Sequence, residues 1–416
     1  MATDRVATAW VSFILIASVV YQAWLALIHT HVYRSSAPIV GAAEFSIYLA
    51  CLLVLARRIR LEFVALVALV LAYLLLLTLF REGLDVKGFR DVMIPLLFFW
   101  LGRHVGDIRY ADRLLKGLVI AVLVVGFFEL FFLPQYTYLL DIFSYYVSTG
   151  TVTISTNFIR DSALNLNGLR PDGIGRTILP SLLGSHRVSS VFLEPVSLGN
   201  FAVIVAAWGL SKPLAELKSM LFFLLSAATL IALADSRYGL IVVSALIVIR
   251  MSVRGHMHTA FIALPFLSVV ALVLIGLYFD GGVADDIMGR LYWTGDTLLG
   301  FDLGKMIGVQ GFNVPYGDMG YAYLLSRWGV LLCLALWGAL WLVRMADERG
   351  VRFRAYAALY ISLILTVSGT SFFALKTAGL LWFLVGSCAK RSPRGAAFHR
   401  RADTPVFPER EVSYAH

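Results

Sequence analysis

The sequence predicts an all-α bundle of membrane-spanning helices. Of its 416 residues, 59% are apolar and 15% are charged, against roughly a half and a quarter in ordinary soluble domains. The mean hydropathy is +0.81. Aromatic residues make up 13%, with 9 Trp and 18 Tyr, the types that anchor chains at bilayer interfaces. This composition excludes a soluble globular enzyme, a disordered chain and a nucleic-acid-binding domain, even though the formal net charge is +9.

A membrane-crossing helix needs about 20 mostly apolar residues. That template finds about twelve runs, at 6–28, 38–56, 61–80, 91–106, 113–133, 191–210, 217–234, 237–251, 259–279, 319–343, 355–372 and 375–389. The fourth, eighth and last are short. Residues 1–28 combine Arg5 with a long apolar run and no small-residue cleavage site, so they read as a retained span rather than a signal peptide. The cysteines Cys51, Cys333 and Cys388 lie in apolar runs without a CxxC pair or His cluster, which supports neither disulfides nor zinc.

Orientation follows from Lys and Arg in the connecting loops. With the N-terminus inside, the inner segments hold Arg57-Arg58-Ile59-Arg60, Arg103 to Lys116, Lys212 and Lys218, Arg250 and Arg254, Arg344 to Arg354, and the basic tail. The outer face holds fewer cations spread over more sequence. Both termini are therefore expected in the cytoplasm. The chain reads as one transmembrane domain, 1–389, followed by a basic tail, 390–416, expected to be disordered. Two long loops, 134–190 and 280–318, fall on the outer face. Loops of that length are functional or disordered, and their aromatic and glycine content favours function. The segment Tyr136–Tyr146 has aromatics at near-helical spacing and is expected along the membrane interface. Plain connecting loops are the alternative.

Ionisable groups at membrane depth mark function by default. Five places carry them. The first is Ser185-His186-Arg187-Val188-Ser189-Ser190-Val191-Phe192-Leu193-Glu194-Pro195. Arg187 could hold a phosphate, helped by N–H groups at a helix start, or it could simply pair with Glu194. The second is the turn Asp235-Ser236-Arg237-Tyr238, where Asp235 could orient Arg237 or the Arg could snorkel. The third is Gly317-Asp318-Met319-Gly320-Tyr321, where Asp318 lies at or near a helix N-cap. The fourth is Arg327, nine residues on and about 13 Å deeper along a helix, with Glu129 as a suggested partner. The fifth is the loop from Arg81 to Asp91, whose Arg90 and Asp91 enter the fourth span and which could instead be plain solvated loop. Together they suggest an outward-facing, membrane-level cavity for phosphate or diphosphate.

The pattern Arg187-Val-Ser-Ser-Val-Phe-Leu-Glu194-Pro195, the Asp-Ser-Arg237 turn, and Gly-Asp318-Met-Gly-Tyr321-Ala-Tyr opening a late span resembles the bacterial O-antigen polymerase and ligase superfamily, with the Wzy-type polysaccharide polymerases the nearer half. The resemblance covers most of the chain as architecture and three short patches as motif. It implies a GT-C-like inner-membrane glycosyltransferase with a periplasmic site and no metal or other cofactor. Its partners would be undecaprenyl-diphosphate-linked glycans as donor and acceptor, the lipid bilayer, and a chain-length regulator protein. The product would be O-antigen, capsule or exopolysaccharide. On this reading Arg187, Arg237 and Arg90 bind diphosphate; Glu194, Asp318 and His186 are candidates for acid–base work; Asp235, Tyr321 and Arg327 support them. Ligases of the superfamily carry a His near the outer start of the late span. Here that stretch is Val314-Pro-Tyr-Gly-Asp318-Met-Gly-Tyr321, with no His, which favours polymerase over transfer to lipid A-core. A lipid-linked oligosaccharide transporter or flippase is the third reading; the absence of an internal repeat counts against it.

Overall fold

The computed structural model describes residues 2–56, 60–81, 83–105, 107–151, 176–253, 255–279 and 287–390. Arg57, Arg58, Arg160, Arg170, Arg254 and the tail from 391 lie outside the described residues, as do parts of both long loops. Among the described residues the chain is helical throughout, with one isolated bridge between Met345 and Ala389.

Each of the apolar runs found in the sequence is a helix. The first group is α1 (Ala2–His31), α2 (Ala37–Ala56), α3 (Leu61–Arg81), α4 (Val86–Val105) and α5 (Ile108–Phe131), followed by the short α6 (Leu133–Leu139), α7 (Ile142–Ser148) and α8 (Pro180–Leu183). Then come α9 (Pro195–Ser211), α10 (Leu217–Ala234), α11 (Arg237–Ser252), α12 (Leu264–Tyr278), α13 (Ile287–Leu299), α14 (Leu303–Met306), α15 (Gly320–Leu342), α16 (Glu348–Val367) and α17 (Leu375–Ser387). Eight of these are long and apolar enough to cross a membrane, and α9 and α17 are shorter apolar helices. The protein is an all-α membrane bundle.

Position in the bundle follows from side-chain size and burial. Helices α9, α16 and α17 form the centre; α9 is buried along nearly its whole length. Pro195 opens α9 at its first position, where a missing N–H costs nothing. Helices α3 and α12 lie at the periphery, their Leu and Val side chains facing outward where lipid would meet them. Helices α4 and α17 pack backbone to backbone. A Cβ on Gly102 would fall 2.1 Å from the Phe383 carbonyl oxygen, and one on Gly386 2.0 Å from that of Phe99. Small residues allow this approach, which replaces hydrophobic drive as the source of packing energy between helices in lipid. Gly386→Leu is expected to push α17 off α4 and lower the melting temperature in detergent by several degrees. An unchanged melt would show that the contact carries no weight.

The loops sort into two ends. At the lower end Asp112, Lys212 and Arg349 meet in one ionic cluster: Lys212 Nζ lies 2.5 Å from Asp112 and 2.8 Å from Glu216, and Arg349 stacks 4.4 Å from the Trp208 ring. Arg352 donates to the Ser211 carbonyl, Arg250 to that of Lys212, and Arg354 to those of Trp341 and Val343. These cations therefore satisfy the last carbonyls of α9 and α15, where a helix presents its negative end. At the upper end gather residues 81, 83–91, 134–151, 176–195, 235–237, 290–318 and 369–376, the segments expected outside.

The segment Tyr136–Tyr146 is helical, as its aromatic spacing predicts. It forms α6 and α7, and Tyr136, Tyr145 and Tyr146 are buried with Ala26, Ile142 and Leu193 in a small core of their own. One aromatic face is used for internal packing, while Phe132, Tyr138 and Leu139 stay exposed on the other. Two helices this short need the buried face against α1 to hold together.

Candidate functional site

Two groups of polar residues occupy the upper end. The first lies where α1, α2, α4, α15 and α17 converge. Arg90 donates through Nε and Nη2 to Asp91 Oδ1 at 2.9 and 2.7 Å, and its Nη1 stands 3.5 Å from Glu44 Oε2. Asp91 Oδ2 accepts from the Tyr323 hydroxyl at 2.5 Å. Lys87 Nζ lies 5.1 Å and the Arg327 guanidinium 4.7 Å from the Tyr323 ring. Arg327 is ion-paired with Asp85, which also accepts from the Gly88 N–H and faces Arg81 at 3.8 Å. Arg327 and Glu129, suggested as partners, are thus apart. Glu129 is fully buried and accepts from the N–H groups of Ser189 and Ser190. Instead of needing a partner at mid-membrane, Arg327 reaches back to the α3–α4 loop.

The group continues through hydrogen bonds into the bundle. Tyr21 donates to Glu44 Oε1 at 2.7 Å, and Gln22 Nε2 donates to the Tyr21 hydroxyl at 3.3 Å. Lys376 Nζ donates to Gln22 Oε1 at 2.8 Å, to the Phe192 carbonyl at 2.8 Å and to Glu194 Oε2 at 2.9 Å. Ser197 also donates to Glu194. The carboxylate of Glu194, the N-cap of α9, is therefore neutralised by Lys376; the suggested Arg187–Glu194 pair gives way to this one. Arg90 and Glu194, far apart in sequence, are joined by one polar chain.

The second group sits on the C-terminal end of α10. Arg187 Nε donates to the Ala234 carbonyl at 3.0 Å. Arg176, buried, donates to the carbonyls of His186 and Leu233 and to that of Ala232. Asp235, in a left-handed conformation that ends α10, accepts from the Thr177 N–H and hydroxyl and the Ile178 N–H at 2.8–3.0 Å. Arg237 is exposed and donates to the Thr177 hydroxyl at 3.2 Å. Asp235 and Arg237 are connected through Thr177, not directly. Arg187, expected at a helix start, lies against a helix end.

Asp318 and Tyr321 stand elsewhere on the same end. The N-cap of α15 is Met319, one residue past Asp318, whose exposed carboxylate faces Arg290 at 3.6 Å. Tyr321 is buried and donates to the Ser362 carbonyl at 3.0 Å, a link between α15 and α16. His186 is buried. Burial, with the Arg176 guanidinium nearby, holds its imidazole below the usual histidine range. A histidine depressed in this way stabilises the fold fully above about pH 6.5 and loses that contribution as pH falls from there through its folded value. His186 should therefore contribute a fall in melting temperature between pH 7.5 and 5. His186→Gln should flatten part of that slope; an identical slope in the variant would assign it to other groups.

An apolar cavity of about 480 Å³ adjoins the first group. It runs along α15 and is lined by α3, α4, α12, α16 and α17, with Trp100, Trp328, Trp337 and Trp382 among its walls. Trp328 and Phe373 at its upper end touch the polar cluster. Trp328 Nε1 donates to the Gly88 carbonyl, and Phe373 packs 6.0 Å from the Tyr323 ring. Among the described residues no three His, Cys, Asp or Glu side chains gather as a metal site would require.

Comparison with known protein families, curated proteins and solved structures returned no match. Lys376, Glu44, Tyr21 and Gln22 were not foreseen as site residues. A carboxylate inside the second apolar run and a lysine two residues into the last were the signals for two of them; a tyrosine and a glutamine in the first span carry no comparable signal.

Proposed function

We propose that the protein is a polysaccharide polymerase. On this reading it is a GT-C-like glycosyltransferase with twelve membrane spans in the bacterial inner membrane. Both termini are cytoplasmic and the upper end is periplasmic. It joins undecaprenyl-diphosphate-linked repeat units. The observation that carries the proposal is the apolar cavity of about 480 Å³ whose Trp328 and Phe373 walls touch a cluster of cations at one end of the bundle. A polyprenyl diphosphate needs that combination: a dry trough for the tail and guanidinium or ammonium groups for the head. Arg90, Lys87 and Arg327 are placed for the head; Arg237 and Arg187 form a second basic patch on the same end.

The chemistry would run as follows. The acceptor sugar hydroxyl oxygen forms a bond to the anomeric carbon of the donor's reducing-end sugar. The bond from that carbon to the diphosphate oxygen breaks, and undecaprenyl diphosphate leaves with the electron pair. Cations meet its growing charge. The hydroxyl proton passes to a carboxylate within hydrogen-bond reach; Asp318, open to solvent, suits that role. Glu194, held by Lys376 and Ser197, is better suited to orienting the acceptor.

The test incubates purified protein in nanodiscs with lipid-linked repeat units and a chelator. Longer lipid-linked chains are expected. Glycan appearing only on added lipid A-core would make the protein a ligase. Movement of the lipid-linked unit across the bilayer without a new glycosidic bond would make it a flippase.

A further inference from the structure

The helix α15 is broken at Gly329, whose φ of 68° and ψ of 162° lie outside the helical region. The break deprives the preceding carbonyls of their N–H donors. Arg81, reaching from the end of α3, fills two of those vacancies by donating to the carbonyls of Ser326 and Arg327. Its Nε also donates to the Gly308 carbonyl at 2.5 Å. Gly308, itself at φ 80°, rests on the break: a Cβ there would fall 2.6 Å from the Gly329 nitrogen. Glycine is needed on both sides of this contact. The strap 303–311 is thus seated backbone to backbone in the notch, and one arginine holds both parts.

The position of the strap gives it a use. The apolar cavity is lined by residues on both sides of the break, Leu324 and Leu325 above it and Val330 and Leu334 below. Met306 of the strap lines the same cavity. The outer surface of the strap, at Leu303, is exposed. Resting on the reading that the cavity takes a polyprenyl chain, we infer that the strap 303–311 is a lid over the cavity, latched by Arg81 and hinged with the upper half of α15 at Gly329. It lifts for the lipid tail to enter or leave and closes to aim Arg327, which Arg81 holds through its backbone carbonyl and through the shared Asp85, at the head.

A reversible lock tests this. A Cβ on Gly311 would stand 3.6 Å from that of Ser326, within disulfide range; because Gly311 sits at φ 82°, where a side chain is strained, the reduced variant's rates must first match those of the unmodified protein. The double variant Gly311→Cys, Ser326→Cys in nanodiscs is titrated with nitroxide-labelled undecaprenyl diphosphate, whose tail quenches the tryptophans lining the cavity. A lid predicts that oxidation slows association and dissociation together, roughly tenfold or more, while affinity stays within about threefold, since gating changes rates and not the closed complex. Reduction should restore both rates, which excludes misfolding. Arg81→Lys should speed both. Unchanged rates in the oxidised variant, with saturable quenching in the unmodified protein, would overturn the lid and leave the proposed function standing. No saturable quenching in the unmodified protein would remove the lipid-diphosphate reading itself, and the lid with it.

Discussion

Lys376→Met is expected to destabilise the bundle by about 2–3 kcal/mol, below the roughly 3–5 kcal/mol of a fully buried pair because the Glu194 side chain is 28% exposed. Lys376 is only 3% exposed, and its ammonium serves Glu194, Gln22 and the Phe192 carbonyl at once. Removal leaves the Glu194 carboxylate with the hydroxyls of Ser197 and Tyr146 in place of its cation, and strips the Gln22 Oε1 of its donor. The double variant Lys376→Met, Glu194→Gln removes both charges and should recover much of the loss. Thermal melts in detergent of the single and double variants check this. Equal destabilisation in both would mean that Lys376 acts through packing alone and that the pair has no coupling.

Arg90→Ala has the second large effect, on rate. Arg90 is the one cation in the first group that is held by two carboxylates and still reaches solvent, its side chain 36% exposed. Losing a group that meets developing charge on the leaving diphosphate costs roughly 10²–10³ in rate. The transfer rate per folded molecule should fall by that factor, with Arg90→Lys recovering only part because a bidentate fork is replaced by a point charge. A normal rate per folded molecule, together with a lowered melting temperature, would reduce Arg90 to a structural clasp between α2 and α4.

The fold was legible because lipid imposes simple rules on sequence. Each apolar run became a helix, and the loops that share a face by charge count meet one another at one end, as Asp112 with Lys212 and Lys376 with Glu194 show. The site was legible only in part. Arg90, Asp91 and Arg327 were marked by charge at membrane depth, and the structure brings them around Tyr323. Their partners were not readable, since pairing depends on which helices adjoin. Arg327 found Asp85 and not Glu129 because the polar α3–α4 loop lies over α15, while Glu129 is saturated by Ser189 and Ser190. Arg187 shows the opposite limit: a cation that looks placed for a ligand donates to the end of α10.

The proposed function requires one lipid in the cavity with its diphosphate at Arg90, Lys87 and Arg327. Photolabelling with undecaprenyl diphosphate carrying a diazirine on the tail tests it most directly. Labelling confined to cavity residues such as Phe99, Trp100 and Leu336, competed by unlabelled undecaprenyl diphosphate and lost in Arg90→Ala, is the predicted result. Labelling spread over the peripheral faces of α3 and α12, and indifferent to competitor or to Arg90, would contradict it.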